Sequence, residues 1–207
     1  MKSILLKTLL LVFLPISLLA QENYKTISSA DSAKIYFGGI PYEVINYQES
    51  GSNEKPKNVI LMIGDGMGVS QIYAAMTANG GQLFMSNFKN IGFQTTFSAN
   101  NYITDSGAAG TALAAGIKTY NGAIGVDTDT IPLQNIREKC EAMGMATGLV
   151  STSAITHATP ASFVAHQPSR NYYEAIAADF LKTNIDVFIG GGYKHFAQRT
   201  DGQDLTV

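Results

Sequence analysis

The sequence contains one cysteine, no tryptophan and only three histidines among its 207 residues. Because a disulfide needs two cysteines, Cys140 cannot form one within the chain. Basic residues are also scarce: 14 Lys and Arg stand against 16 Asp and Glu, which gives a net charge of -2, and they form no cluster. Such a chain has no general attraction for nucleic-acid phosphates, so nucleic-acid recognition is not expected.

The apolar run near the N-terminus is short, at residues 9–19, and Lys2 and Lys7 flank its start. A membrane-spanning helix needs about 20 apolar residues, so no stable membrane span is expected, with an N-terminal anchor as the alternative. The basic start, the short apolar core and Ala20 predict a signal peptide at residues 1–20. No cysteine follows Ala20, which disfavours a lipoprotein anchor. The protein is therefore expected to be exported, to the periplasm or outside the cell.

The remaining chain divides into a polar leader and linker at residues 21–56 and a domain at 57–207. Apolar runs alternate with helical patterns through the domain, which predicts an α/β fold with a mostly parallel central sheet and helices on both faces. The sequence stops shortly after a strand, so the fold is expected to be incomplete at the C-terminus. The predicted strands are 58–64, 91–99, 145–152 and 186–192, and the predicted helices are 69–78, 106–116, 132–144 and 171–183.

Polar residues and glycines follow the predicted strands, where α/β sheets bind their ligands. Asp65 comes directly after the first strand, between Gly64 and Gly66. A carboxylate in that position is a natural ligand for a divalent cation, since glycines allow a close backbone approach. The alternative is a plain turn into the next helix.

Ser106 opens a helix whose next residues, 107–112, are all small. A helix N-terminus presents free N–H groups and partial positive charge, which suit a phosphate or a serine alkoxide. The small residues are expected to let a phosphate-sized group approach the backbone. The alternative is a serine that caps a closely packed helix.

His157 and Thr159 follow the third predicted strand, two residues apart. In extended chain that spacing places both side chains on one side, where they could share the shell of a metal. Arg170 follows them, and a guanidinium can grip a phosphate with two hydrogen bonds. The alternatives are a hydrogen-bonded loop histidine and a solvated surface arginine.

Other motifs indicate ordinary structure. The pair Asn121–Gly122 predicts a turn. The three glycines at 190–192 lack the spacing of a dinucleotide site and predict a turn at a strand end. His166 and His195 have no acidic or histidine partners nearby in sequence and are expected to be structural.

Three segments together resemble the alkaline phosphatase family, and the resemblance covers roughly residues 57 to 197. The segment at 102–127 is similar to its nucleophile segment, with the sequence YITDSGAAGTALAAGIKTYNGAIGVD. NVILMIGDGMG resembles the first metal-binding strand of that family. ATGLVSTSAITHATPASFVAHQPSR resembles the family segment that carries a metal-site hydroxyl and the phosphate-binding arginine. IDVFIGGGYKHF looks like a later strand. The resemblance implies hydrolysis of phosphate monoesters through a phosphoserine intermediate.

The resemblance also implies roles for single residues. Ser106 would be the nucleophile and a zinc ligand, Arg170 would hold the phosphate, and Asp105 would position Arg170. Asp65 would bridge a Zn²⁺ site and a Mg²⁺ site. Thr159 would ligate the magnesium ion. His157 would lie beside that site, close to the phosphate, where other family members have aspartate, so the choice of the third metal stays open.

Most of the ligands for two Zn²⁺ ions are missing from this chain, since zinc takes several His, Asp or Cys ligands per ion. In the family, the remaining ligands lie in the C-terminal half. The chain is therefore expected to be the N-terminal portion of a longer enzyme, with a truncated gene product as the alternative, and to be inactive alone. The family resemblance also implies a homodimer for the full-length protein.

Two other functions stay open. One is a non-catalytic phosphate-binding module that keeps Arg170 and the N-terminus of the Ser106 helix. The other is a phosphodiesterase or sulfatase relative, which the context Thr104-Asp105-Ser106 disfavours because sulfatases mature their nucleophile in a different motif.

Overall fold

A computed structural model describes residues 40–45 and 55–206. The predicted signal peptide and most of the predicted leader lie outside these residues. Among the described residues, no helix has both the length and the apolar character to cross a membrane.

The described chain alternates helices with two strands, as an α/β fold requires. The first helix, α1, occupies the predicted range, and the short 3₁₀ turn η1 follows it. The helices are α1 Val69–Ala78, α2 Ser106–Ala115, α3 Ile136–Ala142, α4 Ala158–Ala161, α5 Tyr173–Phe180 and α6 Lys194–Ala197; η1 is Phe84–Asn87; the strands are β1 Gly148–Ala154 and β2 Val187–Gly191.

The two strands pair in parallel, with Leu149 opposite Phe188 and Val150 opposite Ile189. Parallel strands need a crossover, and α4 and α5 provide it. The fold class is thus confirmed as α/β with a parallel sheet. Phe180 of α5 is 2% exposed and packs with its neighbours in the hydrophobic core. Burying a side chain of that size stabilises the fold by about 2–3 kcal/mol.

The strands predicted at 58–64 and 91–99 do not occur as strands among the described residues. Val59, Ile60 and Met62 are more than 80% exposed, so the first run is not buried on both faces. An apolar run becomes a strand only when a neighbouring strand takes its backbone hydrogen bonds, and within 40–45 and 55–206 neither run has such a neighbour.

The small residues of α2 serve close packing. A Cβ added at Gly107 would lie 2.8 Å from the Ala123 carbonyl oxygen, and one at Gly110 would lie 2.8 Å from Ser162 Oγ. Both distances are below van der Waals contact, so these glycines let the helix touch its neighbours. Close packing thus accounts for the glycines at these two positions; the expectation that the small residues admit a phosphate group stays a prediction.

The boundaries of α2 and α3 follow local capping. Gly116 ends α2 with φ 74°, as the sequence predicts. Helix α3 starts at Ile136 and not near Pro132, because Asn135 and Glu138 form a reciprocal capping box at 3.0 and 2.9 Å. Pro132 instead lies in an antiparallel bridge with Val126.

Candidate active site

The Asp65 carboxylate joins three separate segments of the chain. Its Oδ1 accepts a hydrogen bond from Ser106 Oγ at 3.1 Å, and its Oδ2 accepts one from Thr159 Oγ1 at 2.8 Å. The turn that carries Asp65 is closed by the Met67 N–H, which donates to the Gly64 carbonyl at 3.1 Å. The glycine after Asp65 has φ 67°, which favours glycine there. The predicted site residues Asp65, Ser106 and Thr159 thus lie together.

Asp105, and not Ser106, caps helix α2. Asp105 Oδ1 accepts from the Ala108 N–H at 2.9 Å and from the Gly122 N–H at 3.0 Å. Burial raises the pKa of the Asp105 carboxyl. These two hydrogen bonds, together with those donated by the Arg170 guanidinium and the Gly107 N–H, outweigh the effect of burial and hold the pKa below its ordinary value. Because Asp105 takes the capping role, the alternative of a capping serine is wrong.

The Arg170 side chain lies between two site residues. Its Nη1 donates to Asp105 Oδ2 at 2.9 Å, and its Nη2 lies 3.3 Å from His157 Nε2. The Arg170 side chain is 24% exposed, and the backbone N–H of Arg170 donates to the Gly122 carbonyl at 2.7 Å. The alternative of a solvated surface arginine is therefore wrong. A partly exposed ion pair is screened by solvent and adds only modest stability, so its main effect is to orient the guanidinium.

His157 and Thr159 do not lie together in extended chain, which corrects the prediction of a shared side: His157 has extended backbone, but Thr159 lies in a helix. Strand β1 ends at Ala154, and His157 is the residue before α4, in which Thr159 is the second residue. The two residues contact different partners: Thr159 bonds to Asp65 and His157 to Arg170. The turn into α4, and not a strand, brings both of them to the site.

The oxygen atoms around Asp65 suit Mg²⁺ better than Zn²⁺. A carboxylate and two hydroxyls are hard ligands, which fit Mg²⁺. Residues 40–45 and 55–206 contain no group of three or more His, Cys, Asp or Glu side chains that could hold a metal ion. These residues therefore fit part of a magnesium shell and do not complete a zinc site.

The two remaining histidines have contacts within the fold. His166 lies 2.7 Å from the Gly125 carbonyl and 3.0 Å from Glu138 Oε1, an acidic partner 28 residues away in sequence. His195 lies 2.6 Å from Thr156 Oγ1 and stacks on Tyr173.

A cavity of about 670 Å³ lies between α5 and α6, lined by residues that include Glu174, His195 and Arg199. None of the site residues described above lines it. We give it no part in the site because two of its charged side chains, Glu174 and Arg199, already pair with Thr200 and Asp201.

The Asn121–Gly122 turn takes a part in this site that its local sequence does not predict. Gly122 donates to Asp105 and accepts from Arg170, so it contacts both members of the ion pair. The Asn-Gly pair predicts the turn, but nothing in the local sequence indicates its partners.

Comparisons with known proteins agree with these observations. A family model described as alkaline phosphatase matches residues 56–206. Alkaline phosphatase 3 of Bacillus subtilis (strain 168) is 39% identical over 206 residues, which is 90% of this chain and 42% of that protein. The chain thus spans less than half the length of this curated relative.

Solved structures give the same result. The alkaline phosphatase of the Antarctic bacterium TAB5 is 46% identical with a TM-score of 0.71, over 72% of this chain and 44% of that one. A variant of that enzyme with a histidine replaced by aspartate has Mg bound in a site called M3; it is 45% identical with a TM-score of 0.71, over 72% and 43% of the two chains.

Proposed function

Because the chain belongs to the alkaline phosphatase family, we propose that it carries the nucleophile-bearing part of a metal-dependent phosphate monoester hydrolase. One observation supports this more than any other. The Ser106 hydroxyl lies at the N-terminus of α2, hydrogen-bonded to Asp65, while Asp105 next to it pairs with Arg170. A nucleophile, a carboxylate for a cation and a phosphate-binding guanidinium thus lie in one place.

In the proposed reaction, Ser106 Oγ attacks the phosphorus atom of the ester. The Oγ–P bond forms, the bond from phosphorus to the alcohol oxygen breaks, and the alcohol leaves with the proton that the Ser106 hydroxyl gives up. Water then attacks the phosphoserine, which releases phosphate and restores the serine hydroxyl. Before attack, Asp65 Oδ1 accepts the Ser106 hydroxyl proton in a hydrogen bond, and this orients the oxygen.

Arg170 supplies the positive charge for this reaction. Asp105 and His157 engage its Nη1 and Nη2 atoms, and the guanidinium keeps further N–H donors for the phosphate oxygens. The N–H groups of the first turn of α2 add partial positive charge beside Ser106. Such preorganised donors stabilise the charge that develops on the phosphoryl oxygens.

Asp65 and Thr159 would hold a magnesium ion, with His157 beside it, and Asp65 and Ser106 would contribute to a zinc site. Bound cations of this kind stabilise the attacking and leaving oxygens of an in-line displacement. The magnesium bound to the TAB5 variant supports the first assignment. The zinc assignment requires ligands beyond the described residues, and no step above depends on it.

The remaining assignments extend the same proposal. Residues 57–207 would form part of an alkaline phosphatase domain, residues 1–20 would direct export to the periplasm or outside the cell, and residues 21–56 would connect the two. The substrates would be phosphate monoesters, and the whole protein would form a homodimer.

The test is phosphate release from an aryl phosphate with Zn²⁺ and Mg²⁺ present, using protein produced from its complete gene. Ser106→Ala removes the nucleophile, so we expect a loss of about 10⁴-fold or more in turnover. Ser151→Ala is the matched control, because Ser151 lies within β1 and bonds to Ser153. Equal rates for wild type and Ser106→Ala would exclude Ser106 as the nucleophile. Saturable phosphate binding without any turnover by the wild type would favour the binding-module alternative.

A further inference from the structure

The Asn121 side chain is bound to the chain just before the nucleophile. Its Oδ1 accepts a hydrogen bond from the Asp105 N–H at 3.2 Å, and its Nδ2 donates to the Ile103 carbonyl at 2.9 Å. We propose that Asn121 is a positioning residue that fixes Asp105, and through it the Arg170 guanidinium, for phosphate binding. This inference rests on the proposed phosphatase function.

The turn around Asn121 contacts both members of the Asp105–Arg170 pair. The Ala123 N–H donates to the Tyr120 carbonyl at 3.2 Å and closes a four-residue turn, in which Gly122 has φ 92°. Gly122 binds the carboxylate of Asp105 through its N–H and the backbone of Arg170 through its carbonyl. Gly122 restrains the Asp105 side chain, and the Asn121 side-chain amide adds a restraint on the Asp105 backbone.

Contacts outside the site keep this turn in place. The Asn121 N–H donates to Asn100 Oδ1 at 3.0 Å, and the Ala99 N–H donates to the Thr119 carbonyl at 2.9 Å. The Tyr120 hydroxyl donates to the Pro168 carbonyl at 2.9 Å, two residues before Arg170. The turn is thus attached to the chain segments on both sides of the ion pair, so it can act as a fixed reference for the Asp105 backbone.

The expected effect falls on phosphate binding. An arginine held in place by Asp105 binds the phosphate in the substrate and in the product, so its misplacement weakens both complexes. We expect Asn121→Ala to raise KM and the inhibition constant of inorganic phosphate by about 3- to 10-fold, the scale of one or two neutral hydrogen bonds. We expect kcat to change by less than about 2-fold, since the nucleophile keeps its own contact with Asp65. A purely structural role would reduce the active fraction, which lowers kcat and leaves KM and the inhibition constant unchanged.

The experiment compares Asn121→Ala and Asn121→Leu with Asn184→Ala in protein produced from its complete gene. Leucine keeps the size of the side chain and removes both hydrogen bonds, so it tests the same contacts if the alanine variant folds poorly. Asn184 precedes β2, at the edge of the sheet opposite to the strands' carboxyl ends, and its side chain has no hydrogen bond among the described residues. In an Arg170→Ala background, we expect Asn121→Ala to have no further effect on the inhibition constant, because Asn121 acts through Arg170.

Calorimetric titration with inorganic phosphate separates this inference from the proposed function. A wild type that binds phosphate but releases none from an ester would contradict the proposed turnover and leave the binding comparison valid. A phosphate Kd that is equal in wild type and in both Asn121 variants would overturn the positioning role. Additive effects of Asn121→Ala and Arg170→Ala would also overturn it.

Discussion

The Asp105 carboxylate lies 2.9 Å from the Arg170 guanidinium across 65 residues of sequence, while the same carboxylate caps the helix that Ser106 begins. One side chain therefore fixes both the start of the nucleophile's helix and the direction of the phosphate-binding arginine. These two tasks use different oxygens of Asp105: Oδ1 accepts from the backbone and Oδ2 from Arg170. A substitution at Asp105 can therefore separate the capping role from the contact with Arg170.

Asp105→Asn is expected to keep the cap and weaken the grip on Arg170. The amide oxygen can still accept from Ala108 and Gly122, so we expect the free energy of unfolding in urea to fall by less than about 1 kcal/mol. The inhibition constant of phosphate is expected to rise by about 5-fold or more, because a charge-assisted hydrogen bond is lost. Asp105→Ala removes both roles and is the comparison. An unchanged inhibition constant in Asp105→Asn would contradict this division of roles.

Gly110→Ala is expected to destabilise the site through overpacking. The new Cβ would lie 2.8 Å from Ser162 Oγ and 3.4 Å from the Thr159 Cα, so α4 has to move away from α2. We expect a loss of about 1–3 kcal/mol in the free energy of unfolding and weaker Mg²⁺ binding, since Thr159 is displaced from Asp65. Gly92→Ala is the control, because a Cβ there meets no atom within 4 Å. Equal stability of the two variants would show that α2 and α4 are not closely packed.

His157→Asp is expected to increase the affinity for Mg²⁺. A carboxylate beside Asp65 and Thr159 adds a hard oxygen ligand and negative charge, both of which magnesium favours. We expect the Kd for Mg²⁺, measured by calorimetry, to fall by about 10-fold on the scale of one charged ligand. Asn184→Asp adds the same charge at the opposite edge of the sheet and serves as the control. If both variants change the Kd equally, the effect belongs to net charge and not to the site.

The stability of the fold is expected to decrease in mild acid because of His195. Burial lowers the pKa of its imidazole and nearby Lys194 lowers it further, while Glu174 opposes them. The folded pKa is therefore below the unfolded value of about 6.5, and protons bind preferentially to the unfolded chain. The neutral imidazole makes its full contribution to the free energy of unfolding above about pH 6.5, and this contribution is lost as the pH falls through the folded pKa. Urea unfolding of wild type and His195→Gln from pH 5 to 8 should give curves that converge at low pH; parallel curves would contradict this.

Local signals in the sequence predicted much of the fold. Gly116 marked the end of α2 correctly, and the alternation of patterns gave the parallel pairing of β1 with β2. The cap of α2 could not be assigned in the same way, because aspartate and serine are both good capping residues and stand side by side at 105 and 106. The Gly122 N–H, which donates to Asp105 Oδ1, and the ion pair with Arg170 favour Asp105 as the cap, and both are tertiary contacts.

Long-range partners explain the errors. The strand at 58–64 depended on a neighbour that the local sequence does not reveal, and the shared side of His157 and Thr159 depended on β1 continuing past Ala154. Asn121 reaches Asp105 across 16 residues, a pairing that no local pattern encodes. The side chains of Asp65, Ser106 and Thr159 nevertheless lie close together, and each of them follows an apolar run or begins a helix in the sequence.

The exposed run at 58–64 has a consequence for how the site assembles. Asp65 follows a segment with no strand partner among the described residues, so its carboxylate is held at the site by two hydroxyl groups. Each of these is a single neutral-to-charged hydrogen bond, a weak tether compared with a sheet ladder. A cation that binds Asp65 and Thr159 together would therefore cross-link two parts of the chain, and metal affinity and the protection of the 58–65 backbone amides from hydrogen exchange should rise together.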